Sequence, residues 1–144
     1  MSVVKPANRR KARRIALQAL YQWAMTGDNV ASIELQFVSD NDPESTDLSY
    51  FRDLFGGVVR TVDELDEKLS ALVSRPFKDV DLVEKAILRL GAYELCHHPE
   101  LPYKVVINEG IELAKTFASE DSHKFINGVL DKLAASLGSG DGRR

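Results

Sequence analysis

Five cations crowd into residues 9–14, namely Arg9, Arg10, Lys11, Arg13 and Arg14, and the chemistry open to them is the holding of a polyanion. Residues 1–14 carry six basic side chains, Lys5 included, and no acid. The whole chain has 19 basic and 22 acidic residues, so the part after residue 14 holds 13 against 22. An acidic protein that keeps an undiluted basic block at one end has segregated its charge, the footprint of a phosphate-rich partner. A solvated helix start is the plainer explanation of such a run. Against it, cations at a helix N-terminus oppose the macrodipole, a small cost that a bound anion removes. A second group, Lys124, Phe125 and Asn127, joins a cation, an aromatic ring and an amide. RNA bases are read on aromatic or guanidinium planes, so an exposed Phe125 would serve as a platform. Its place at the edge of an apolar stripe suits a core ring equally well.

Catalytic chemistry does not assemble. The single cysteine, Cys96, adjoins an apolar run and reads as a small packed residue; one cysteine allows no intramolecular disulfide and suits a reducing compartment. The three histidines fall in turns or at a helix start, and the adjacent His97 and His98 lack a second ligand pair, so no metal is expected. No serine sits in a nucleophile elbow and no glycine-rich loop follows a strand. The expectation is a binding protein, not an enzyme, with no cofactor. No stretch approaches about 18 consecutive apolar residues, so no membrane span is expected and the setting is cytoplasmic.

The elements that position these groups read as helices throughout. With Asn8 as a plausible N-cap, a first helix runs to about Met25 and is stopped at Gly27. Ala12, Ile15, Ala16, Ala19, Leu20 and Trp23 share one face of it; Arg10, Arg14, Gln18 and Tyr21 share the other. A short helix over Val30–Val38 and a loop over Ser39–Thr46 follow. Leu48, Phe51, Phe55, Val58, Val62, Leu65, Leu69 and Leu72 then alternate spacings of three and four, a helical seam that Thr61 and Glu64 can divide near Arg60–Val62. Gly56-Gly57 suggests a close helix crossing. Arg75-Pro76 ends the run.

From Asp79 to Leu95 the helix is the most apolar, with Val83, Ile87, Leu90, Gly91 and Glu94 inward and Asp81, Glu84, Lys85 and Arg89 as a polar stripe. An inward Glu94 needs hydrogen-bond donors from a neighbouring helix. Pro102 opens the next helix, and Ser119-Glu120-Asp121-Ser122 opens the last, whose core stripe is Ile126, Val129, Leu130, Leu133 and Leu137. The predicted fold is all-α, with about six to seven helices in two packed subdomains. Residues 1–77 form the first, with an arm over 1–7, and 78–137 the second; residues 138–144 form a flexible tail.

Several blocks resemble the NusB family of bacterial transcription factors. Arg9 to Arg14 followed by Ala16-Leu17-Gln18-Ala19-Leu20-Tyr21-Gln22-Trp23 matches its opening. Tyr50 to Leu54, Val83 to Arg89, Tyr93 to Leu95, Pro102 to Glu109 and Ile111 to Lys115 continue in the family's order, and Asp121 to Lys132 closes it. The resemblance implies two packed three-helix bundles. It also implies pairing with a small-subunit ribosomal protein, NusE, and binding to the single-stranded boxA element of nascent RNA. That complex would help RNA polymerase, with other Nus factors, to read through terminators in ribosomal RNA operons. Carried over by residue, the RNA contacts would be Arg9, Arg10, Arg13, Arg14, Gln18, Lys124, Phe125 and Asn127. Asp121 would stand at the rim, tempering affinity for phosphate. Tyr21, Glu84, Lys85 and Arg89 would face the ribosomal protein, so that Glu84→Lys would harm that partnership and spare RNA binding by the isolated chain. A protein adaptor or homodimer acting without RNA, and the related domain of ribosomal-RNA methyltransferases, are the competing readings.

Overall fold

A computed structural model of the chain describes residues 4–138. Every regular element among the described residues is helical. The α-helices are α1 (Pro6–Thr26), α2 (Val30–Asp40), α3 (Leu48–Arg60), α4 (Val62–Ser70), α5 (Leu82–His97), α6 (Tyr103–Phe117) and α7 (Ser122–Ser136), with one 3-10 turn at Phe77–Asp79.

The chain divides into two compact units between Arg60 and Thr61. In the first, α1 packs on α2 and α3. Helix α1 begins earlier than Asn8: Pro6 sits in its first turn, where a missing N–H costs nothing, and Lys5 is the N-cap. The expected arm over residues 1–7 is shortened accordingly, and residues 1–3 lie outside the described chain. Asn8 bonds sideways instead, its amide donating to the Glu44 carbonyl at 3.2 Å while its own carbonyl accepts from the Asp47 N–H at 3.2 Å. Gly27 ends the helix with φ 68° and donates to the Trp23 carbonyl, the left-handed cap expected of it. The predicted apolar face is buried at Ala12, Ile15, Ala16, Ala19 and Leu20, and Trp23 is half-buried. Opposite it, α3 contributes Phe51 and Phe55, stacked with centroids 5.9 Å apart.

The second unit holds four α-helices rather than three, because α4 packs on α5 with a smaller contact to α7. The apolar seam does break at Arg60–Val62, as spacing suggests. Its second half, Leu65 and Leu69, is buried in this unit, so the division falls well before residue 77, where sequence alone places it. Helix α5 is capped by Asp81, whose carboxylate accepts from the Val83 and Glu84 N–H groups. With α4, α6 and α7 all against it, α5 is buried on several sides, including Leu88, Ala92 and Tyr93 beyond the expected face. Glu94 is buried, as its inward position requires. Of the expected tail only Gly138 is described, and residues 139–144 lie outside.

Leu130 of α7 holds α5 and α6 close. A Cβ at Gly91 would lie 2.8 Å from both Leu130 methyl carbons, and one at Gly110 would lie 3.1 Å from Leu130 Cδ1. Gly56 differs, meeting only the tip of the exposed Arg60 at 3.0 Å. Gly91→Ala is therefore expected to destabilise the fold by about 1–3 kcal/mol through overpacking. Gly56→Ala, by contrast, should be neutral or stabilise α3 by up to about 1 kcal/mol through helix propensity. Urea unfolding of the two variants separates these outcomes, and equal midpoints would refute the packing asymmetry.

Candidate nucleic-acid interface

In the first unit the basic block splits in two. Arg10, Arg14 and Gln18 recur every four residues along α1 and are exposed, with Tyr21 exposed on the next turn. The other i, i+4 pair turns toward α3. The Arg9 guanidinium carbon lies 4.0 Å from the centre of the Tyr50 ring and that of Arg13 lies 5.5 Å from it. Arg9 also approaches Asp47, Nε to Oδ2 at 3.6 Å. Arg13 is only 6% exposed. The four arginines thus do two jobs: Arg9 and Arg13 stack on a buried ring and fix α1 against α3, while Arg10 and Arg14 lie on the exposed face. Sequence alone does not single out Tyr50, because its part depends on a helix forty residues away.

In the second unit, Asp121 occupies the N-cap position of α7 without a capping bond from its side chain, and Lys124 and Asn127 stand exposed one turn apart. Phe125 is half-buried, so the ring belongs wholly neither to the core nor to the surface. One side of it is occupied: the Arg75 guanidinium carbon lies over the ring, 4.5 Å from its centroid. Arg75 is held in turn by Glu84, Nη2 to Oε1 at 3.3 Å. Glu84 Oε2 accepts from the Ser122 hydroxyl at 2.7 Å, and Ser122 Oγ is 2.8 Å from Ser119 Oγ. A chain of contacts therefore runs from α5 to the first turn of α7 and to Phe125.

The polar stripe of α5 is committed inside the protein to a degree that spacing does not reveal. The Glu84 side chain is 12% exposed. Arg89 makes a bidentate pair with Asp66 of α4, at 2.8 and 2.7 Å, and is 14% exposed. Lys85 is half-buried, its Nζ 5.1 Å from the centre of the Phe77 ring. Planar, two-pronged pairing of this kind orients a guanidinium and tethers α4 to α5.

Cys96 is half-buried, and burial pushes its thiol above the ordinary range; Lys68 pulls it back in part and Glu64 adds to the rise. Such a thiol is a poor nucleophile at neutral pH. Among the described residues no group of three or more histidine, cysteine or acidic side chains is set to hold a metal, and no helix is long and apolar enough to cross a membrane.

Comparison with known proteins bears on this arrangement. The model of the NusB family matches residues 10–135. The transcription antitermination protein NusB of Shewanella amazonensis is 54% identical over 132 residues, spanning 92% of this chain and 98% of its own. That of Aeromonas hydrophila subsp. hydrophila is 56% identical over 134 residues, spanning 93% and 98%. Among solved structures, one of antitermination factors NusB and NusE in complex with double-stranded RNA superposes with a TM-score of 0.82 at 27% identity, covering 92% of this chain and 99% of that one. T. maritima NusB superposes with a TM-score of 0.79 at 28% identity, covering 94% of this chain and 93% of that one. With helices in this order and the family's residues across nearly its whole described length, the chain belongs to the NusB family.

Proposed function

We propose that this chain is a cytoplasmic transcription antitermination factor. Together with the ribosomal protein NusE it binds boxA of nascent RNA and promotes read-through of ribosomal RNA operons. The observation that carries this reading is the exposed file of Arg10, Arg14 and Gln18 on a helix whose other face is core. Guanidinium groups in that position meet phosphates without disturbing the packing beneath them, and Gln18 can reach a base edge. Lys124, Asn127 and Phe125 form the contact surface of the second unit, with Asp121 limiting its positive charge. Arg9 and Arg13 support the RNA face from behind by fixing α1. Tyr21 faces the ribosomal protein, as do Lys85 and the edges of Glu84 and Arg89. The relatives' names and the neighbour that holds NusE and RNA support the same assignment.

Fluorescence anisotropy with a boxA oligonucleotide, single-stranded and as a duplex, with and without NusE, tests it. Preferred binding of the single strand is expected, strengthened by NusE, with log affinity falling against log salt by about 0.7 per phosphate contact. A flat salt response, or no binding even with NusE present, overturns the RNA reading; NusE binding without RNA would then mark a protein adaptor.

A further inference from the structure

We propose that Arg75 is itself an RNA-contact residue, a planar layer laid over Phe125 on which a nucleobase stacks. The inference rests on the RNA-binding reading above and adds a residue and a mode of contact to it. A guanidinium carbon 4.5 Å from the centre of the Phe125 ring occupies that side of the aromatic platform in the unbound protein. A base approaching from there meets arginine first. Guanidinium is flat, delocalised and weakly hydrated, so its outer side can take a base as an aromatic ring does.

Three features suit Arg75 to this use. Its side chain is 47% exposed, so it is open to a ligand while backed by the ring. It is steered from the edge by Glu84 Oε1 at 3.3 Å, which leaves the broad side of the group uncommitted to that bond. The same Glu84 is fixed by Ser122 at 2.7 Å, three residues before Phe125, so guanidinium and ring are referred to one anchor. Lys124 and Asn127 flank the ring in sequence and are exposed, one supplying charge for a phosphate and the other an amide for a base edge. Salt-bridge geometry alone would ask only for a cation at position 75. Stacking asks for a plane.

That difference gives the test. Wild type, Arg75→Lys and Arg75→Ala are titrated, with NusE present, against single-stranded boxA RNA and a series in which one base at a time is replaced by an abasic site. Circular dichroism melts confirm that the variants fold. For wild type, one abasic position should weaken binding roughly 5- to 150-fold, the range of one stacked base. Arg75→Lys keeps the charge and the salt slope, yet should weaken intact RNA by a similar factor, and the abasic penalty at that one position should vanish. Arg75→Ala should do the same and flatten the salt slope as well. The proposal is overturned if Arg75→Lys binds like wild type, or if its loss is equal for every RNA in the series with no position uncoupled, which marks an indirect effect. Failure of wild type to bind intact RNA overturns the RNA reading and this one together.

Discussion

Arg10→Ala combined with Arg14→Ala should weaken boxA binding by about 100-fold at moderate salt, roughly tenfold for each charge-assisted contact. The log–log salt slope should fall by about 1.4, which is 0.7 for each of two phosphate contacts on a single strand. Both side chains are exposed on the solvent face of α1. Truncating them leaves the buried Ala12, Ile15, Ala16 and Ala19 packing untouched, so the melting curve should move less than in the companion pair. The companion pair gives the contrast. Arg9→Ala with Arg13→Ala strips two guanidinium groups from Tyr50, one of them almost fully buried, and should lower thermal stability before it alters the salt slope. An unchanged slope in the Arg10, Arg14 double variant would show that α1 is not the phosphate-binding helix.

Glu84→Lys should be damaging in more ways than loss of one partner contact. Its carboxylate accepts from Ser122 and from Arg75, and the side chain is 12% exposed. A lysine there removes the acceptor for a buried hydroxyl and sets a second cation beside Arg75. A cost of about 1–3 kcal/mol in folding stability is expected. Binding of NusE should fall by tenfold or more, and RNA binding by the isolated chain should fall with it, because Arg75 loses its anchor over Phe125. Sequence alone leads to the opposite expectation for RNA, since a polar residue on a polar stripe reads as a surface group. Glu84→Gln retains an acceptor for Ser122 and should be milder on stability. Thermal melts, NusE capture and RNA titration on both variants decide the matter; loss of NusE binding with melting and RNA affinity intact would return Glu84 to a purely external role.

What could be read from sequence was whatever a single helix decides for itself. The two faces of α1, the stop at Gly27 and the break of the apolar seam near Arg60 follow from periodicity and backbone preference, and all three stand in the structure. The division of the basic block between Tyr50 and solvent did not follow, because periodicity says which residues share a face and not what lies opposite. From sequence, Arg75 is only the residue before a proline. Its place over Phe125 depends on the path of the 3-10 turn at Phe77–Asp79 and on α7, fifty residues away in the chain. Arg89 and Asp66 are likewise paired across helices, beyond the reach of local spacing. Helix α5 hides its burial for a related reason: with neighbours on several sides its apolar residues do not gather into one stripe, and the polar Glu84 and Arg89 are part-buried because they are paired.

The Leu130 wedge between Gly91 and Gly110 has an evolutionary corollary. Three positions on three different helices share one small volume, and that volume is full. A lineage that acquires a side chain at 91 must shed methyl groups at 130, and whichever change comes first is the harmful one. These sites are therefore expected to drift as a linked trio or not at all, holding the α5–α6–α7 framework constant while the loops and charged surfaces around it diversify.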